Sequence, residues 1–150
     1  MDEVIFSLLV TGMPFNKPLP SKRKVFKNNS FYHYYFIGTT LHVFIDYIPL
    51  LQDKLYFNFP DVCEINEQVE KIYPDFDSSI IEEVVYTFEY NNIYNMLEVN
   101  AENSILIFRN CSFGDEVYIK SASETDFASC NLSRTKKIHV YSNDIYLTNC

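Results

Sequence analysis

Tryptophan is absent from the 150-residue chain, and only three glycines occur, Gly12, Gly38 and Gly114. Glycines so far apart exclude the GxGxxG and GxxxxGKS/T loops whose backbone amides cradle phosphate. The four cysteines, Cys63, Cys111, Cys130 and Cys150, include no CxxC pair, so the common zinc and dithiol frameworks are missing. They are expected to be free thiols that behave mainly as small hydrophobes. Pro74 is the last of six prolines, so no later residue has its backbone donor removed. Apolar runs such as 4–10 fall far short of the ~20 residues of a membrane-spanning helix. Met1-Asp2-Glu3 places acids where a secretory leader carries its positive region. These absences predict a cytoplasmic, intracellular protein with no transmembrane segment and no cofactor.

Basic residues are also missing from one long stretch. Residues 61–102 carry eleven acids and a single base, Lys71. The opposite holds at 17–27, where Lys17, Lys22, Arg23, Lys24 and Lys27 occur without an acid. The net charge of −8 disfavours nucleic acid as a partner, because phosphate contacts need clustered Lys and Arg. A summed negative field instead steers a basic protein partner.

What the chain has in quantity is aromatic and β-branched residues: 13 Phe and 12 Tyr contribute to an apolar share of 47%. That is too hydrophobic for disorder, and the length suits one α+β domain over 1–150, or the N-terminal part of a longer protein. Runs at 3–10, 31–37, 41–48 and 54–59 read as strands. The middle pair flanks Gly38-Thr39-Thr40 as a hairpin, and 54–59 extends it into an antiparallel meander. Asp61 is the expected N-cap of a helix whose apolar positions are Val62, Ile65, Val69 and Ile72 and which Pro74 ends. A second helix is expected from Ser78 or Ser79, where Ser79-Ile80-Ile81-Glu82 fits a capping box, although Val84, Val85, Tyr86 and Phe88 suit a strand equally. Strands at 104–109, 116–120, 137–141 and 144–148 fill the β-rich C-terminal third. The expected architecture is an aromatic antiparallel β-sheet packed by one or two helices. Asn110-Cys111, Ser129-Cys130-Asn131 and Asn149-Cys150 recur about every 19–20 residues, which offers a β-solenoid-like C-terminal third as the minor alternative.

No chemistry-bearing set is convincing, and neither a catalytic nor a metal site is expected. His33, His42 and Asp46 share the hairpin but lack a further ligand at a recognisable spacing. Cys130 and His139, with Asp126 or Asp144 as orienter, lack any nucleophile signature. The paired acids Asp115-Glu116, Glu82-Glu83 and Asp75/Asp77 read as solvated surface. Lys22, Arg23, Lys24 and Lys27 are candidate anion-binding residues, and Phe26 could stack among them, but a solvated loop explains them as well.

The expected function is therefore non-enzymatic. Glu82, Glu83, Tyr86, Glu89, Tyr90 and Tyr94 would form an acidic, Tyr-rich face that engages a basic protein partner, as an inhibitor, immunity protein or viral host-defence antagonist does. One alternative is a small hydrolase or nuclease using His139 or His33 with a nearby acid. The other is a structural protein that self-associates through edge strands of its C-terminal third.

Overall fold

The computed structural model describes residues 24–26, 30–37, 39–47, 54–72, 81–93 and 96–150. Within them lie ten strands and one helix: β1 Lys24–Phe26, β2 Ser30–Ile37, β3 Thr40–Tyr47, β4 Lys54–Asn58, α1 Val62–Ile72, β5 Glu83–Glu89, β6 Asn92–Ile93, β7 Met96–Arg109, β8 Ser112–Phe113, β9 Glu116–Ala128 and β10 Lys137–Thr148. The expected strand at 3–10, the second-helix start at 78–79 and most of the basic segment lie outside the described residues.

The hairpin is present: β2 and β3 pair antiparallel, with Ile37 opposite Thr40. Beyond it the sheet departs from expectation. β4 does not continue a meander; it pairs with β7, in parallel. The order is β1-β2-β3-β5-β7-β9-β10, with β4 beside β7, and every pair from β3 onward is parallel. The α+β arrangement with an antiparallel sheet is thus incorrect. The described chain is mostly β, and its one helix is a short insertion. Residues 83–89 form a strand.

Parallel neighbours need a return path, and here the chain supplies it by coiling. Val85 pairs with Ile105, Leu97 with Val117, Ile105 with Glu124 and Lys137 with Glu116, offsets of 19 to 21 positions. Each coil comprises a first arm, a corner, a second arm, a tight turn and a short third side. β7, β9 and β10 each run through both arms, with register shifts near the corner. In the first coil α1 interrupts this path: β4 supplies one arm and β5 the other. The third side is β6 beside β8, continued by a bridge from Ser112 to Asn131. This is β-solenoid stacking, so the repeat seen as a minor alternative governs the architecture.

The turn explains the recurring dipeptides. Tyr90, Asn110, Ser129 and Asn149 all have φ between 52° and 56°. That left-handed region suits Asn and is unfavourable for Tyr and Ser. The next residue points inward and donates to a carbonyl of an earlier rung. Asn91 Nδ2 reaches Ile45 O at 3.0 Å, while Cys111 Sγ reaches Phe88 O, Cys130 Sγ reaches Phe108 O and Cys150 Sγ reaches Phe127 O, each at 3.3 Å.

The same periodicity stacks the core. Phe88, Phe108 and Phe127 occupy one register column, with centroids 4.9 and 5.2 Å apart and near-parallel rings. Phe113 meets Phe108 and Phe127 edge-on from the third side. Helix α1 begins as expected. Asp61 Oδ1 accepts from Glu64 N at 2.8 Å, and Glu64 Oε1 lies 3.5 Å from Asp61 N, a reciprocal capping box. Ile65 anchors the helix in the core.

Phe108 touches both neighbours in its column and the ring beneath. Phe108→Ala is expected to cost about 3–5 kcal/mol by cavity formation, measured by urea unfolding. A loss below about 1 kcal/mol would refute the stacked-coil core.

Candidate functional site

Three surfaces are candidates for a site: the acidic face expected from sequence, the outer face of the first arms, and the outermost described strand.

The acidic face is not one patch. Glu82 and Glu83 are exposed at the start of β5, and Thr39 Oγ1 donates to Glu82 Oε2 at 3.3 Å. Glu89 and Tyr90 lie at the other end of that strand, about 20 Å away at ~3.3 Å per residue. Tyr90 is well exposed. Tyr86 is wholly buried: its ring stacks on Phe59 at 4.1 Å, and its hydroxyl donates to Pro60 O at 2.6 Å. A run of alternating acids and tyrosines hid the fact that Tyr86 shares an inward column with Val43 and Leu106. Tyr94 lies outside the described residues. So do Lys22, Arg23 and Lys27, and only the backbone of Lys24 is described, in β1.

The suggested catalytic set is not assembled. Cys130 Sγ is directed to Phe108 O and to Ala128 O, inside the coil. His139 stacks on Tyr118 on the outer face of the first arm, in register with it. Asp126 and Asp144 belong to the second arm, where Asp126 pairs with Tyr146 and Asp144 with Glu124. In the hairpin His33 is opposite Phe44, and His42 is opposite Tyr35, so the two imidazoles are not direct partners. Among the described residues no group of three or more His, Cys, Asp or Glu could hold a metal.

Hydrogen bonding and burial shape the remaining titratable groups. The hydrogen bond with Cys130, then burial, pushes the Cys111 thiol far up, which keeps it protonated and inert. Burial lowers the His42 pKa, opposed by Glu83 and reinforced by Arg109.

The outer face of the first arms carries Tyr56, Glu98, Tyr118 and His139 in one register column. Its charges are matched: Lys120 lies 3.9 Å from Glu98 and Lys137 lies 3.9 Å from Glu116. Glu116 also accepts from the Tyr118 hydroxyl at 3.0 Å. An open groove of about 480 Å³ runs between Tyr56, Glu98, Asn100 and Lys120. Lys54 stands over the Tyr56 ring on the same face, 5.7 Å from its centroid, so three lysines and two glutamates are interspersed there.

The outermost strand differs. β10 pairs with β9 and, among the described residues, has no strand on its other side. Ile138, Tyr141, Ile145, Tyr146 and Leu147 along it are 44% to 66% exposed. Ile138, Ile145 and Leu147 fall in the inward columns of Val117, Thr125 and Phe127. An interior column therefore ends in solvent. The sequence carried this signal as alternation in 137–148, but the side that would be uncovered depends on the coil order.

No family model, no curated protein and no solved structure matches the chain. Nothing in these comparisons or in the fold carries the inhibitor or viral accessory expectation, and α+β gives way to a mostly β solenoid. No helix among the described residues is long and apolar enough to cross a membrane, which says nothing of β-barrels.

The thiols test the inward turn. Alkylation of the native chain is expected to modify exposed Cys63 and Cys150 quickly, whereas buried Cys111 and Cys130 react only as the coils open. Mass spectrometry showing equal rates would reject the inward ladder. His42 makes a second test. Its folded pKa lies below the ordinary 6.5, so the stability it supports is present above that pH and falls as pH drops below it. Between about pH 7.5 and about pH 5.5, thermal unfolding of His42→Gln should lose less midpoint temperature than the parent chain. Equal losses would contradict the shift.

Proposed function

We propose that the chain is a non-enzymatic protein-binding protein that captures its partner by strand addition on the open edge of β10. One observation carries this reading: five large apolar or aromatic side chains are exposed along a strand that, among the described residues, is paired on one edge only. Edge strands are normally blunted by proline, by charge or by extreme shortness. β10 runs for 12 residues without proline, and its acidic and basic residues are only Asp144 and Lys137, with His139 between them. Exposed apolar surface of this kind marks an interaction site, and an added strand gains main-chain hydrogen bonds together with side-chain burial.

The exposed acids Glu64, Glu67, Glu82 and Glu83 form a secondary feature. Asn66 of α1 bonds to Ile81 O at 3.3 Å, which brings the helix beside the start of β5. These acids favour partners with a basic rim and act on encounter rate.

The probe is a synthetic peptide of residues 116–128, the strand that β10 already accepts on its other side. Fluorescence anisotropy should show saturable binding to the intact chain, and Ile145→Asp/Leu147→Asp should abolish it. Absence of binding to the single-chain species up to about 1 mM peptide would sink the reading.

A further inference from the structure

We infer that the partner of the β10 edge is a second copy of this chain, paired antiparallel through β10 across a two-fold axis. The inference rests on the strand-addition reading and names its partner. It comes from the symmetry of the strand itself. The inward apolar positions of β10 are Ile138 and Val140 on the first arm and Ile145 and Leu147 on the second, while Ser142, opposite buried Ala122 and in contact with Thr125, is the inward polar position between them. The register partners of the apolar positions, Val117, Ile119, Thr125 and Phe127, are all fully buried. Turning the strand end for end about a point between Ser142 and Asn143 exchanges the apolar positions. Ile138 then faces Leu147 of the other copy, and Val140 faces Ile145. Each apolar position thus meets an apolar position, and both interiors become continuous. A one-residue slip would set every apolar side chain against an outward one.

The shape of the rung fits this centre. The inward positions of β10 change parity between Ser142, opposite buried Ala122, and Ile145, opposite buried Thr125, which places the corner beside Asn143. A bent rung with arms of similar length superposes on itself when its arms are exchanged about that corner. Each first arm would then lie on the second arm of the other copy, with inner faces still inward.

Charge agrees as well. The first arm and the segment leading to it carry Arg134, Lys136 and Lys137, whereas the second arm carries Asp144 and lies beside Glu124. Exchange of the arms sets the basic arm on the acidic one. His139 of one copy faces Tyr146 of the other, diagonal to Asp144 and within reach of a cross-strand contact. A head-to-tail stack is poorer. Among the described residues the opposite end of the sheet order offers β1, three residues long, against the 12 of β10. Isologous pairing matches equal lengths and closes the assembly.

Sedimentation equilibrium of the intact chain from about 1 to about 100 μM should approach twice the chain mass. Ile145→Asp/Leu147→Asp should restore the single-chain mass. His139→Glu/Tyr146→Glu, which changes only outward positions, should do the same by opposing like charges, with an unchanged circular dichroism spectrum. Register is tested in a Cys63→Ser/Cys150→Ser background. A mixture of Tyr141→Cys and Asp144→Cys chains should give several-fold more disulfide-linked dimer on oxidation than either alone. A dimer that survives both charge variants would overturn the inference, as would equal cross-linking in the mixture and the single variants. A chain that stays monomeric yet binds the 116–128 peptide would overturn the two-fold pairing and leave strand addition standing. A monomer that binds no peptide would remove both.

Discussion

Everything in this molecule depends on stacking one rung on the next in parallel register. A parallel strand pair has no tight turn available to it, so the chain must travel around and return, and a coil of about 20 residues is the shortest path used here. Once that path repeats, like side chains fall on like. The Phe88, Phe108 and Phe127 rings share a column because they hold equivalent places in successive coils. The left-handed residue that closes each coil is tolerated because its amide is bonded onward: Tyr90 N to Arg109 O, Asn110 N to Ala128 O and Ser129 N to Thr148 O. The backbone ladder thus holds the strained turn, and the turn aims the next side chain at the ladder.

That arrangement assigns nearly all inward polarity to structure. Asn91, Cys111 and Cys130 are buried, and each serves a carbonyl of an earlier rung. Tyr86 spends its hydroxyl on Pro60, where α1 enters the coil. Buried polar groups committed to backbone partners contribute satisfaction of the interior, at about 1 kcal/mol each.

Local elements were legible in the sequence, and their association was not. The β2–β3 hairpin and the capped start of α1 follow from Gly38-Thr39 and Asp61, signals carried by adjacent residues. Strand alternation in 104–109 and 116–120 is also local, but alternating burial is common to parallel and antiparallel sheets and does not reveal which one forms. The turn repeat was visible at Asn110, Ser129 and Asn149. Its first member, Tyr90-Asn91, shares neither residue with the Asn-Cys pairs, and α1 splits the first coil between β4 and β5. A repeat whose first copy is interrupted and whose turn accepts Tyr, Asn or Ser leaves little to count. The same limit applies to the acidic face. Tyr86 and Tyr90 are four residues apart, yet one is sealed in the core and the other stands in the turn.

The open rung follows from the same geometry. In a stack held by nearest neighbours, each interior coil gains contacts from two sides and an outer coil from one. At the hairpin end, β2 pairs antiparallel on β3 and changes the strand direction, which ends the parallel series. Among the described residues β10 meets no such device, and it repeats the inward columns with Ile138, Val140, Ile145 and Leu147. Retention of the interior pattern on that rung leaves apolar columns exposed among the described residues, and the order of the coils fixes the side on which they are exposed.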